Sequence, residues 1–232
     1  MIRYIGGKSR FAKQIVEVLK QYNINRERYV EPFFGGGSLS KYTKELNLPR
    51  HCSDYNRNLI ILYQQIQLGW IPPETVSEEE YTLAKNSLDC TMKTYIGYAC
   101  SYGGKYFGGY ARDKSGKRDL TRESYNRVMK EKDSISDIVF DASDYKNLVI
   151  KSADLIYSDP PYANTLGYGD SFNSEEFWEY MRKWSKIGAK VIISEYTAPE
   201  DFTCIWEHSY STNIHHEVTN NKKIERLFIY NG

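Results

Sequence analysis

Apolar positions near the start of the chain fall at helical spacing. Phe11, Ile15, Val18 and Leu19 stand at i, i+4, i+7 and i+8, one face of an amphipathic helix running from Lys8 to Leu19. The next segment, Arg28-Tyr29-Val30-Glu31-Pro32, reads as a short buried strand stopped by proline. Phe33-Phe34-Gly35-Gly36-Gly37-Ser38 then turns the chain, with Ser38 placed to cap a following helix. His51-Cys52-Ser53 predicts a second strand, and Asp54-Tyr55-Asn56 opens a helix that reaches Gln67. This β-loop-α-β-loop-α order is the opening of a doubly wound parallel sheet.

The rhythm breaks after Gly69. From there to Asp133, helical pieces at Glu78–Leu88 and Thr121–Lys130 flank a loop rich in glycine and tyrosine, Ser101–Gly116, with no strand period. Residues 69–133 are therefore expected to form a mostly helical insertion. Strand patterns resume at Ile135–Phe140, Asp154–Tyr157 and Lys190–Ser194, with a helix at Ser174–Ile187. Cys204–Tyr210 and Ile224–Tyr230 fit an antiparallel closing hairpin. The expected fold class is α/β: a doubly wound, mostly parallel sheet built from residues 1–68 and 134–232, closed by the hairpin.

Composition narrows the class. The 232 residues and 41% apolar content suit one core domain with a large insertion. A net charge of only +1 means that any affinity for nucleic acid comes from a local patch. Cys52, Cys90, Cys100 and Cys204 lie far apart without a C-x-x-C pair, which reads as reduced thiols with neither a disulfide frame nor a zinc site. No metal site is expected, and His215 and His216 read as surface residues of the hairpin. No stretch approaches the roughly 20 apolar residues of a membrane helix, and the N-terminus shows no apolar signal region. A soluble, cytoplasmic protein without membrane contact is the expectation. The 21 tyrosines suit a nucleic-acid surface, and codon bias explains them equally well.

Four places carry chemistry. Ser158-Asp159-Pro160-Pro161-Tyr162 ends a predicted strand with a carboxylate, two prolines and an aromatic ring. The Asp159 side chain and the Pro160 carbonyl can both accept hydrogen bonds from one exocyclic NH2 group, proline fixes φ, and Tyr162 can stack on a planar base. Such an amine is a poor nucleophile because its lone pair is delocalised into the ring. Two acceptors placed tetrahedrally favour the hybridisation it adopts while attacking an electrophilic methyl group, with no covalent intermediate. Glu31-Pro32-Phe33-Phe34-Gly35-Gly36-Gly37 lets a nucleoside-type ligand approach the backbone, or is a tight turn that needs glycine; G-x-G-x-x-G is absent. Asp54 follows the second strand, where a carboxylate accepts from ribose hydroxyls or caps a helix. Tyr4-Ile5-Gly6-Gly7-Lys8 exposes a lysine ammonium at a helix start, facing a ligand carboxylate or solvent.

These residues in this order resemble the N6-adenine DNA methyltransferases of the Dam-like (D12) class. In that class an aromatic-x-Gly-Gly-Lys segment precedes an EPF-type glycine turn, and D-P-P-Y follows an inserted recognition region. The resemblance covers Tyr4–Arg10, Glu31–Leu39, Asp54–Asn58, Asp159–Tyr162 and Glu225–Phe228. It implies a methyltransferase sheet carrying a DNA-recognition insertion, with S-adenosyl-L-methionine as donor. Tyr4, Lys8, Phe33, Phe34, Gly35, Gly37, Asp54, Asp144, Tyr145 and Asp159 would then contact the donor, Lys8 near its carboxylate and Asp54 at its ribose. Asp159 and Pro160 would hold the target amine and Tyr162 would stack on the base, flipped out of double-stranded DNA.

Between Ser101 and Lys132, nine basic residues stand against four acidic ones. The implied DNA contacts are Tyr102, Lys105, Tyr106, Arg112, Lys117 and Arg118, for phosphate binding and stacking. Close Dam relatives carry an Arg-Thr-x-Phe-Asn-Gly type segment where this chain has Ser101–Tyr110, which bears on target sequence. Alternatives from other classes are methylation of cytosine N4 or of adenine in RNA, and a catalytically silent DNA-binding relative. A monomer or weak dimer is expected. Any restriction-modification partner nuclease would be a separate gene product.

Overall fold

The central strands are buried on both faces, and alternation decides which side chain enters which core. Tyr29, Leu155, Tyr157 and Ile192 point into one apolar layer; Val30, Ile156, Val191 and Ile193 point into the other. The computed structural model describes residues 1–161, 172–211 and 222–232, and in these it contains a seven-stranded sheet. The strands are β1 (Arg28–Glu31), β2 (Arg50–Ser53), β3 (Ile138–Asp141), β4 (Asp154–Ser158), β5 (Lys190–Ser194), β6 (Phe202–Ser211) and β7 (Lys222–Tyr230). Their spatial order is β3-β2-β1-β4-β5-β7-β6. Strands β1 to β5 pair in parallel, with Val30 opposite both His51 and Ile156 and with Ile156 opposite Val191. Strand β7 slots antiparallel between β5 and β6, and the closing hairpin expected from sequence is present.

One layer carries the helices α1 (Ala12–Gln21), α2 (Ser40–Thr43) and α3 (Arg57–Gln67). Helix α7 (Ser174–Lys186) covers the opposite face with Phe177, Trp178, Met181 and Trp184. Helix α1 starts later than its pattern suggests, at Ala12, because Lys8 to Phe11 form a turn closed by the Phe11 N–H on the Lys8 carbonyl at 2.8 Å. Ser38 does not cap α2: Leu39 occupies that position without a side-chain bond, and the Ser40 hydroxyl donates to the Gly37 carbonyl at 2.9 Å. Asn56 caps α3, accepting from the N–H groups of Asn58 and Leu59.

The inserted region contains α4 (Glu78–Ala84), α5 (Cys90–Ala99) and α6 (Leu120–Glu131). Helix α5 was not legible from periodicity, for a physical reason. Every residue from Thr94 to Ala99 is buried, so the helix has no polar face at that end to set a period. Tyr81, Tyr95, Ile96, Cys100 and Val128 belong to the same apolar cluster as Leu59 and Tyr63 of α3. The insertion thus shares its core with the sheet domain. Ser101 and Tyr110 form an isolated bridge at the mouth of the intervening loop.

Arg50 ties the first layer together from within. The Arg50 side chain, which is fully buried, donates to the carbonyls of Ser40 (2.7 Å) and Ser134 (2.8 Å), to the Thr43 hydroxyl and to Asp137. Its removal leaves several buried acceptors without donors. Arg50→Met is predicted to destabilise the fold by about 3 kcal/mol, with Arg50→Lys recovering less than half, since one ammonium cannot replace a planar fork. Urea denaturation measures this; a loss below about 1 kcal/mol would contradict the account.

Candidate active site

The sheet order reverses direction beside β1: the chain passes from β1 to β2 on one side and later returns to β4 on the other. In open parallel sheets such a switch leaves a crevice at the carboxyl ends of the two strands, with backbone groups and loop side chains around it. Three of the four chemistry-bearing segments converge there. Residues 32–37 follow β1, Asp54 follows β2, and Asp159-Pro160 follows β4. Tyr162 lies outside the described residues, as do His215 and His216.

The fourth segment joins them through Lys8, in a way the sequence did not indicate. Its ammonium is not exposed at a helix start: the residue is buried, and Nζ lies 2.7 Å from Asp159 Oδ1 and 3.6 Å from Glu225 Oε1. It also donates to the Gly6 carbonyl at 3.2 Å. Burial by itself lowers the ammonium pKa, but Asp159 and Glu225 outweigh it and the net direction is upward. Glu225 in turn accepts a 2.6 Å hydrogen bond from the Ser194 hydroxyl at the end of β5. Glu225 falls in the Glu225–Phe228 stretch of the resemblance without an assigned role, and Ser194 has no sequence signal of its own. The signal available was a carboxylate two residues before Leu227, on the face of β7 that turns inward.

The glycine turn is shaped by the chain's own N-terminal segment. A Cβ on Gly36 would stand 2.6 Å from the Tyr4 Cβ and 3.0 Å from the Ile2 carbonyl, while the Ile2 N–H donates to the Gly36 carbonyl at 3.2 Å. The Tyr4 ring lies against Gly35, where a Cβ would be 3.1 Å away, and packs on Tyr98 with centroids 5.1 Å apart. Part of the glycine requirement is therefore internal packing. Asp54 holds the turn from the other side, accepting from the Gly35 N–H at 2.8 Å and from the Asn56 N–H at 2.8 Å. Burial raises the Asp54 pKa, opposed by those two backbone donors. Asn56, not Asp54, is the helix cap. The Phe34 ring is buried against Tyr63 and Phe140, whereas Phe33 is half-buried beside Tyr145 at 5.2 Å. Tyr145 itself is buried, and Asp144 accepts from the Lys146 N–H at 2.9 Å.

With the glycine turn, the β2 carboxylate and Asp159-Pro160 gathered at one crevice, comparison with known proteins becomes informative. Residues 4–100 match the D12 class N6 adenine-specific DNA methyltransferase family. That span contains Tyr4, Lys8, the glycine turn and Asp54. The D12 match ends before Asp159 and Pro160. Among solved structures, a Haemophilus influenzae methylase, HI0767, aligns over 98% of this chain and 97% of its own at 12% identity, with a TM-score of 0.42. Magnesium protoporphyrin IX methyltransferase (ChlM) of Synechocystis PCC 6803, solved with bound SAM, aligns over 95% of this chain and 79% of its own, also at 12% and 0.42.

The loop expected to meet DNA presents some of its residues outward and uses others internally. Tyr102, Lys105, Tyr106 and Lys117 are exposed. Tyr106 also rests on Tyr98, with centroids 4.7 Å apart. Arg112 is paired with Glu78, and Arg118 grips Glu123 with two bonds of 2.7 Å. Both guanidiniums are thus partly neutralised within the chain. Phe107 and Tyr110 pack inward, Tyr110 donating to the Val76 carbonyl at 2.6 Å. Gly104 brings this loop onto the N-terminal segment, since a Cβ there would lie 2.5 Å from the Tyr4 nitrogen. Among the described residues no cluster of His, Cys, Asp or Glu is arranged to hold a metal ion, and no helix is long and apolar enough to cross a membrane.

Glu31, the acid that opens the glycine-turn motif, is buried and accepts a 2.8 Å hydrogen bond from the Tyr29 hydroxyl. Burial is the main cause that raises its pKa to about 8, reinforced by Asp159 and Asp54 and opposed by Tyr29 and Arg50. Between the ordinary value of 4.5 and about 8, the folded chain holds a proton that the unfolded chain has lost. Folding stability from this group therefore falls as pH rises through that window. Glu31→Gln is predicted to match wild type near pH 5 and to exceed it by at least ~2 kcal/mol near pH 8.5 in urea denaturation. An equal wild-type-to-variant difference at both pH values would sink this reading.

Proposed function

We propose that this chain transfers a methyl group from S-adenosyl-L-methionine to N6 of adenine in double-stranded DNA, acting on a base flipped out of the duplex. The observation that carries the reading is the placement of Asp159 and Pro160 at the end of β4, in the same crevice as the β1 glycine turn and Asp54. The D12 match over residues 4–100 supports adenine N6 as the target atom.

The site suits a cationic donor. Asp54, Asp159 and Glu225 bring three carboxylates to this end of the sheet, against the single ammonium of Lys8, while Glu31 keeps its proton below about pH 8. The donor supplies an electrophilic methyl group on a positively charged sulfur, and a low-dielectric site with excess negative charge favours that charge. Asp54, fixed by two backbone donors, would accept from the ribose hydroxyls, and the backbone of the turn at Gly35–Gly37 would lie along the methionine portion. Tyr4 would border the same portion. Tyr145 and Asp144, beside Phe33, would border the adenine of the donor.

Asp159 and the Pro160 carbonyl would accept the two N–H bonds of the target amine. That arrangement draws the nitrogen lone pair out of conjugation and aims it at the methyl group. Lys8 holds Asp159 Oδ1 at 2.7 Å, which fixes the carboxylate in rotation. Tyr162 would stack on the flipped base. Residues 69–133 would grip the duplex, with Lys105 and Lys117 on phosphates and Tyr102 and Tyr106 available to stack, Arg112 and Arg118 joining once released from Glu78 and Glu123.

Asp159→Ala is expected to lower kcat at least a hundredfold while donor and DNA Kd stay within about threefold. Asp54→Asn is expected to weaken donor binding about tenfold, read by calorimetry. Retention of more than about a tenth of wild-type turnover by the Asp159 variant would rule out the assigned clamp. Separately, Lys105→Glu with Lys117→Glu should raise DNA Kd and reduce the slope of log K against log salt by about 2. Unchanged DNA affinity would move the duplex to another face.

A further inference from the structure

Packing does not require a second buried carboxylate at Lys8. Lys8 and Glu225 are both 4% exposed at the side chain, and Asp159 is 18% exposed, so the trio is largely withdrawn from water. Burying an ionised carboxylate is expensive even when paired, and an apolar or amide side chain of similar size fills the same volume more cheaply. Yet β7 carries a carboxylate inward here. Ser194 of β5, in register with Leu227 of β7, clamps it with a 2.6 Å bond. Glu225 is thus held on one side by a hydroxyl and on the other by the ammonium that holds Asp159.

The consequence is electrostatic. An ammonium bound to Asp159 alone would neutralise that carboxylate and weaken it as an acceptor for an amine N–H. Sharing the ammonium with a second anion divides its field and leaves Asp159 the stronger acceptor. The same sharing fixes Nζ in space, because Lys8 sits on a Gly-Gly turn without helical support until Ala12. We propose that Glu225 and Ser194 are positioning residues that act through Lys8 to set the orientation and acceptor strength of Asp159. The inference rests on the proposed methyl transfer to adenine, and it assigns Lys8 to the reacting carboxylate rather than to the donor.

Among the described residues, the titratable groups that face Lys8 include Asp159 after β4, Glu225 on β7, Tyr196 after β5 and Tyr210 on β6. The test uses the full chain with two readouts. First, steady-state methylation of duplex DNA: Glu225→Gln should lower kcat about 10- to 100-fold with donor and DNA KM within about threefold, Glu225→Asp should recover part of the loss, and Ser194→Ala should lose about 3- to 10-fold. Second, the Lys8 side chain is followed by NMR of ε-labelled lysine, assigned by the signal missing in Lys8→Arg. Its titration midpoint should drop in Glu225→Gln, since one of the two raising carboxylates is gone. Wild-type kcat in both Glu225→Gln and Ser194→Ala, or a loss lying wholly in donor KM, overturns the proposal. An unmoved Lys8 titration overturns it whatever the reaction proves to be. If the titration moves but wild type methylates no adenine, the network stands and the proposed reaction is what fails.

Discussion

The ammonium of Lys8 binds three parts of the chain that are remote in sequence: the N-terminal segment, the loop after β4 and the inward face of β7. Two of its partners are carboxylates, and the set is largely shut off from water. In such a place a pair is held by mutual need. Removal of the cation would leave two buried anions facing each other, and removal of either anion would alter the charge on the other. The position of Asp159 is therefore a property of the assembled sheet and of no single loop. Strand β7, which slots antiparallel between β5 and β6, does more than close an edge, since it brings Glu225 to this point.

The N-terminal segment has a second duty that follows from its first. To deliver Lys8, residues 2–4 lie across the glycine turn so closely that Gly36 leaves no room for a Cβ. Gly104 of the inserted loop then packs on the other side of the same segment. Turn, strap and insertion are stacked in order, and the insertion shares its apolar cluster with α3. Contact of DNA with the loop at residues 102–118 would thus press on the strap that carries both Tyr4 and Lys8.

What the sequence revealed divides along one line. Segments whose environment is set locally were readable: β5 falls at Lys190–Ser194 as its apolar run indicates, and α7 ends one residue short of its pattern. The carboxylates after β2 and β4 and the turn after β1 were readable too, because strand ends in a parallel sheet are marked by proline, glycine and acid. Contacts set by distant partners were hidden. Nothing near Lys8 announces Asp159 or Glu225, and nothing near Arg112 announces Glu78 as a partner. Helix α5 was hidden for the opposite reason, being buried through Thr94–Ala99 and so without amphipathic contrast. The glycine turn reads from sequence either as space for a ligand or as a tight turn, and Tyr4 packs against Gly35 and Gly36 of it.

The claim that most needs a direct answer is the target atom. Expression of the chain in a host that lacks adenine methylation, followed by single-molecule sequencing and nucleoside mass spectrometry of the genomic DNA, supplies it. The account predicts N6-methyladenine at one recurring short motif. Methylation of cytosine N4, or unmodified DNA from folded protein that binds S-adenosyl-L-methionine, would contradict it.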